Sequence, residues 1–185
     1  SVKMYQSGLT DGFCGTQFEF EHSNLVEPST TPFTLLDRSF GGDSILSNLS
    51  FEKLQATKQT IDVYLESQSV NISLFKSFVK KHHLQNLDFN IINTQQYEIS
   101  KMKLSEHPML IVTYQPYTTS LLKNGFIELA STKDLDLLVV DAVFVESKKV
   151  KSHGRILKAI DSAIKDSLKL LKENPKEYYK TVQAH

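Results

Sequence analysis

The sequence has one cysteine, Cys14, and no run of apolar residues long enough to span a bilayer. A lone cysteine forms no intramolecular disulfide and offers no thiolate cluster for zinc or iron–sulfur binding, and its solitude is neutral about compartment. A membrane-spanning helix needs about 20 consecutive apolar residues, so no segment reads as one. Net charge is also missing: Lys+Arg and Asp+Glu both number 21. No surplus of positive charge is available to bind a phosphate backbone, so nucleic acid is not an expected partner. The opening Ser1-Val2-Lys3-Met4-Tyr5 lacks the apolar core of a signal peptide. Because such a segment is removed on export, this says nothing against an exported protein.

Enzyme motifs are absent as well. There is no Gly-x-Ser-x-Gly elbow, no Gly-x-x-x-x-Gly-Lys-Ser/Thr phosphate loop and no Gly-x-Gly-x-x-Gly dinucleotide turn. His82 and His83 are adjacent near an expected helix end and point in different directions, which suits a solvated terminus better than a metal. His22, His107, His153 and His185 form no spacing motif. No cofactor or metal is expected.

What is present is a globular composition, 40% hydrophobic and 23% charged over 185 residues. Thr60 to Glu66 is rich in β-branched and aromatic residues and runs into Ser67-Gln68-Ser69, a helix-start cluster. From Asn71 to His83, Leu74, Phe75, Phe78 and Val79 share one helical face. The alternation continues with a strand at 87–93, a short helix at 95–103, a strand at 109–114 and a helix from Pro116 to Lys123 closed by Asn124-Gly125. Strands at 126–130 and 137–145 follow, the second so apolar that it reads as buried on both faces. Gly154 onward is the longest helix, with Ile156, Leu157, Ile160, Ala163, Ile164, Leu168 and Leu171 at helical spacing. It stops at Asn174-Pro175, before a shorter helix with Tyr178, Tyr179 and Val182. In the first third, 33–37 reads as a strand, 38–43 as a polar turn, and 48–59 as a linker with a short helix near 51–54. Strands alternating with helices imply an α/β fold with mostly parallel sheets.

Several segments, in order, resemble the substrate-binding proteins of transporters for sulfonates, nitrate and thiamine precursors, a family with the type II periplasmic-binding fold. Gly8-Leu9-Thr10-Asp11-Gly12-Phe13 is similar to the family's Gly-x-x-Asp-Ala segment, and Asp37-Arg38-Ser39-Phe40-Gly41-Gly42-Asp43 to its Asp-x-Ser-x-Gly-x-Asp loop. Tyr64 to Phe75 resembles the strand, turn and helix that enter the second lobe. Thr113-Tyr114-Gln115-Pro116-Tyr117 is similar to Trp-Glu-Pro-Tyr, and Asn174-Pro175-Lys176-Glu177 to the Asn-Pro-Glu-Glu near the family's end. The chain departs from the pattern where Glu66 to Ser69 lacks the usual glycine and where Tyr114-Gln115 replaces Trp-Glu. It departs again where seven residues precede Gly8 in place of strand–helix–strand elements.

The resemblance implies two lobes, with 1–59 part of lobe I and a crossover, 60–136 lobe II, and 137–185 the return strand and terminal helices. Lobe I looks truncated at its N-terminal side, either because the chain is a fragment or because a partner supplies the remainder. The implied function is capture of a small anionic organic molecule for an ABC-type importer, on the periplasmic or extracytoplasmic face. The partner is the membrane permease, and the receptor a monomer when complete. A ligand-sensing domain of a signalling receptor is the alternative. A fungal thiamine-pyrimidine-synthase-like enzyme stands further off, because that enzyme's cysteine-rich signature is missing.

The expected ligand-binding residues lie where strand ends meet helix starts. Ser67, Ser69 and the Val70 and Asn71 amides would hold an anionic group, with helix capping as the competing role of the serines. Ser39, Gly41 and Asp43 lie in a turn whose glycines allow close backbone approach, and an ordinary polar turn is the competing reading. Tyr114 and Tyr117 would form an aromatic wall or pack in the core. Asp141, inside an apolar strand, would face the site or be satisfied by an internal hydrogen bond.

Overall fold

The computed structural model describes residues 2–22 and 30–184; His185 and the side chain of His22 lie outside that description. The chain begins with α1 (Val2–Gln6), β1 (Gly12–Thr16), α2 (Gln17–His22) and β2 (Thr30–Arg38). It continues through β3 (Asp43–Ser47), α3 (Phe51–Ala56), β4 (Ile61–Leu65), α4 (Val70–Lys81), β5 (Phe89–Asn93) and α5 (Gln96–Ile99). β6 (Met109–Tyr114), α6 (Tyr117–Lys123), β7 (Ile127–Ser131) and β8 (Val140–Glu146) follow, then α7 (Ser147–Ser152), α8 (Gly154–Glu173) and α9 (Pro175–Gln183). Among the described residues no helix is long and apolar enough to cross a membrane.

The chain divides into two compact units, one of Ser1–Gly15, Ser23–Leu36 and Ala142–His185, the other of Thr16–His22 and Asp37–Asp141. The unit boundary falls elsewhere than the expected lobe division at 59/60, since β3 is an interior strand of the larger unit's sheet and residues 37–59 group with it.

The larger unit holds a five-stranded sheet in the order β5-β4-β6-β3-β7. β4 runs parallel to β5 and β6, and β3 runs antiparallel to β6 and β7. The sheet is therefore mixed, with β3 as the reversed strand in an otherwise parallel order. Local pattern reads 38–43 as a turn and 48–59 as a linker and leaves 44–47 unassigned, where Ser44 and Ser47 flank Ile45 and Leu46. Both are buried and satisfied, Ser44 donating to Glu128 Oε1 at 2.6 Å and Ser47 to the Met109 carbonyl at 2.9 Å. All five β3 residues are buried.

One face of the sheet packs Ile45, Val63, Leu110 and Val112 against the apolar stripe of α4, with Leu74 and Phe78 fully buried. A second cluster of Leu46, Ile99, Ile111, Leu121 and Phe126 fills the space under α5 and α6. Helix α5 is shorter than the expected 95–103, ending at Ile99 in turn structure. His82, expected at a solvated helix end, is instead half-buried, its ring 4.9 Å from both Phe51 and Phe78. That burial lowers its pKa.

The smaller unit contains most of the sheet β1-β8-β2, in which only the ends of the strands belong to the larger unit. β8 begins at Val140, so Leu137 to Val139 are not strand, and its burial is partial where two-faced burial was expected. Phe13 stacks on Phe144 with centroids 5.0 Å apart, and Tyr5 tilts against Phe13 at 5.3 Å. α8 runs the full expected length, and Asn174 caps α9 by accepting from the Glu177 N–H at 3.3 Å.

Candidate functional site

The pairing registers bring five strand ends to one edge of the larger unit. Leu65 lies opposite Asn93, Asp43 opposite Tyr114, and Ser44 opposite Ser131. The starts of α4, α5 and α6 therefore leave the same edge, beside the turn that opens β3. In open α/β sheets this carboxyl edge is where loops and helix N-termini line a binding crevice. Ser39, Gly41, Asp43, Ser67, Ser69, Val70, Tyr114 and Tyr117 all belong to these segments.

At the α4 start, Ser69 has extended backbone and its Oγ accepts from the Asn71 N–H at 3.2 Å, a helix cap. Its hydroxyl lies 2.9 Å from the Glu66 carbonyl and 2.8 Å from Asn71 Oδ1. The Ser67 N–H donates to Asn93 Oδ1 at 2.9 Å, and the Ser67 side chain is exposed. Val70, the first helical residue, is buried, and its N–H has no acceptor within the helix.

Sequence reading missed the network behind this turn. Gln96 Nε2 donates to Asn71 Oδ1 at 3.1 Å and to the Val112 carbonyl at 3.2 Å, while Gln96 Oε1 accepts from the Thr113 hydroxyl at 2.7 Å. The Gln96 N–H donates to Glu66 Oε1 at 3.1 Å. Asn71 is fully buried, and its Nδ2 has no hydrogen-bond partner. A buried donor left unmade costs about 1–3 kcal/mol, so Asn71 stands out from a network whose other members are paired. The position of Gln96, first in a helix after a strand end, was a usable signal.

The β3 turn is closed by its own side chains. Ser39 donates to Asp43 Oδ2 and lies 3.0 Å from Thr132 Oγ1, which also accepts from the Gly41 N–H at 2.7 Å. The Thr132 N–H donates to the Asp43 carbonyl at 3.0 Å. Gly41 has φ of +89°, a backbone conformation that favours glycine, whereas the Lys133 side chain that a Cβ there would meet at 2.9 Å is flexible enough to move aside. Thr132 carried no signal of its own, since strand pairing brings it to the turn from far along the chain. An open pocket of about 350 Å³ borders this turn, lined by Gly41, Glu128, Ser131, Lys133 and Asp134 among others.

Tyr114 and Tyr117 meet edge to face, centroids 5.6 Å apart, so they form one aromatic surface. Burial, followed by the charges of Glu66, Tyr117, Asp43 and Glu19, pushes the Tyr114 hydroxyl up to about 12. It is a neutral donor at physiological pH.

Burial also raises the Asp43 carboxyl, against the Ser39 hydrogen bond and with the help of Glu19 and Asp37. Asp141 is raised by burial first, then by Asp43, Asp37 and Glu19. The internal hydrogen bond expected for Asp141 is not formed among the described residues, because β8 starts at Val140 and leaves the carboxylate half-buried at the strand's open end. No group of three or more His, Cys, Asp or Glu among the described residues is arranged to hold a metal ion.

Neither a protein-family model nor a curated protein sequence matches the chain. Solved structures do match. The zinc-bound ligand-binding component of an ABC-type import system from Staphylococcus aureus superposes over 100% of this chain with a TM-score of 0.75 at 14% identity. The chain has the periplasmic-binding-protein fold. The same fold is shared with the periplasmic aliphatic sulphonate binding protein of Escherichia coli, at TM-score 0.66 and 12% identity over 96% of this chain. A Candida albicans protein described as having the generic periplasmic binding protein fold matches over 100% of this chain at TM-score 0.65 and 11% identity. The chain spans 64%, 61% and 62% of the lengths of those three proteins. At these identities the likeness carries the fold, a mixed α/β architecture, and no residue-by-residue role.

Proposed function

We propose that this chain is the ligand-capturing part of a solute receptor that serves an ABC-type importer on the extracytoplasmic face of a membrane. The observation that carries this reading is the convergence of three helix starts and the Tyr114–Tyr117 surface on one edge of the five-stranded sheet. Proteins of this fold that bear an importer description support it, among them the Staphylococcus aureus and Escherichia coli proteins.

The ligand is a small organic molecule with an acidic group. That group sits at the α4 start, against the Val70 N–H and the Ser67 hydroxyl, where the helix dipole favours negative charge, and Ser69 holds the turn that presents them. The organic body lies on Tyr114 and Tyr117, with the Tyr114 hydroxyl as a donor. Ser39, Gly41 and Asp43 shape the wall of the site, and Asp141 lies at its acidic margin. Because Asp43, Asp141 and Glu19 crowd that side, the ligand presents a donor group or a positive charge there and keeps its acidic group at α4. No covalent chemistry is needed, and the protein is a receptor, not an enzyme. Its partners are this ligand and a membrane permease.

The test is a thermal-shift and calorimetric screen with alkyl sulfonates, carboxylates and their amino-substituted forms. Binding that weakens by about tenfold or more in Tyr114→Ala, a loss of one good contact of about 1.4 kcal/mol, with unchanged circular dichroism, supports the reading. Binding indifferent to both Tyr114→Ala and Ser69→Ala would defeat the assignment of the site.

A further inference from the structure

Helix α4 ends on His82, whose ring is set between two phenylalanines. Its centroid lies 4.9 Å from that of Phe51, the first residue of α3, and 4.9 Å from that of Phe78, one turn back along α4. Phe78 is fully buried, and Phe51 packs on the same apolar cluster. The imidazole therefore joins the start of α3 to the end of α4. It lies at the opposite end of α4 from Ser69 and Val70, outside the candidate site.

An imidazole differs from a phenyl ring in carrying two nitrogens, and here one of them is stranded. His82 Nε2 is closed to solvent and has no hydrogen-bond partner among the described residues. A neutral imidazole has one N–H and one bare nitrogen. Leaving Nε2 bare is the cheaper arrangement, because a buried N–H without an acceptor costs more than an idle lone pair. A proton added there would bring both an unpaired donor and a charge into an apolar cleft.

The surroundings offer that charge little. Lys81 and His83, the neighbours of His82 in the chain, oppose it, and Asp134, from the connection after β7, favours it. Asp134 is exposed, and its Oδ2 already accepts from the Ser131 N–H and hydroxyl, both at 2.8 Å, while Lys81 Nζ donates to the Asp134 carbonyl. On α3, Glu52 and Lys53 are exposed beside Phe51, as is Lys80 on α4. Burial outweighs Asp134 and holds the ring below its ordinary pKa.

We propose that His82 is an acid-sensitive latch between α3 and α4: the neutral ring seals the cleft between Phe51 and Phe78, and protonation weakens the attachment. Unfolded His82 takes up a proton near its ordinary value of about 6.5, whereas the folded ring resists it. Acidification below that value therefore favours the unfolded chain until the folded ring titrates as well.

Urea unfolding of the parent protein and of His82→Phe, which keeps an aromatic ring in the cleft and has no proton to gain, tests this between about pH 7.5 and about pH 5. Dividing the parent's unfolding constant by the variant's cancels the titrations that the two proteins share. The quotient should rise at least about threefold on acidification, the limit for one proton being about tenfold per pH unit. His82→Gln supplies the same comparison if the larger ring disturbs the cleft. A quotient that rises less than about threefold, or that falls because Asp134 or the two rings hold the imidazolium, would overturn the proposal. So would a His82 ring proton resonance, assigned by its disappearance in His82→Phe, that titrates at or above about 6.5.

Discussion

The two units differ most in what lies beneath their surfaces. Among the described residues both apolar clusters belong to the larger unit, where Ile45, Leu54, Leu74, Phe78 and Leu110 are wholly inaccessible. Among the described residues of the smaller unit the buried apolar ones are Phe13, Ala142, Phe144, Val145 and Leu157, with Phe13 stacked on Phe144. One unit is thus a finished sheet with helices seated on it, and the other a narrow sheet whose longest helix turns Ile156, Ile160 and Leu168 outward. The difference explains why the candidate site lies in the larger unit. A constellation of helix starts and aromatic rings holds its geometry only on a rigid base.

The contrast can be broken most decisively at the core. Phe78→Ala should destabilise the larger unit by about 3–5 kcal/mol, the cost of emptying a closed aromatic site, measured by urea unfolding. A loss below about 1 kcal/mol would mean that the α4 packing is far looser than its burial indicates.

Next in size is the α4 cap. Ser69→Ala removes the acceptor for the Asn71 N–H and should cost about 1 kcal/mol. Read in the same urea titration, it separates the cap from any effect on ligand affinity.

Asp43→Asn should act in the opposite sense and less strongly. Burial raises the folded-state pKa of Asp43 above its ordinary value, so its ionised form is the one the fold disfavours. That penalty is fully present above the folded pKa and disappears as pH falls towards the ordinary carboxylate value, where Asp43 is protonated whether folded or unfolded. Asparagine keeps an oxygen for Ser39 and carries no charge. The variant should therefore be more stable than the parent at neutral pH, with the gain shrinking as the solution is acidified. A gain that grows on acidification would show that ionised Asp43 is stabilising.

The smallest effect should come from the smaller unit. Ile160→Ser in residues 1–185 should change stability by no more than about 0.5 kcal/mol, as at other exposed positions. A change comparable to that at Phe78 would erase the distinction between the units.

These regions were unequally legible in the sequence. The β4–α4 passage could be read because a β-branched run meets a serine cap and a four-residue apolar period, all within neighbouring residues. Helix α8 was readable for the same reason, although its period does not reveal that Ile156, Ile160 and Leu168 face outward. β3 escaped because Ser44 and Ser47 look like turn residues until Glu128 and the Met109 carbonyl arrive from other strands to satisfy them. The same holds at the site. Ser39, Gly41, Asp43 and Ser69 carry local turn and cap chemistry, whereas Thr132 and Gln96 enter only through strand pairing. Asp141 illustrates the limit of apolar context, since its neighbours suggested a sealed strand interior, whereas β8 begins only one residue before it and leaves it half-buried.

The order β1-β8-β2 also sets a timetable for the growing chain. The two outer strands are made early, and the strand that lies between them is made only after the whole five-stranded sheet, residues 43–131, has emerged. Among the described residues, β1 and β2 have no neighbour in their own sheet until Val140 to Glu146 leave the ribosome, by which time every strand of the five-stranded sheet has been made. Synthesis should therefore yield a folded larger unit first, with two unpaired strands awaiting a partner that closes the smaller sheet in a single late step.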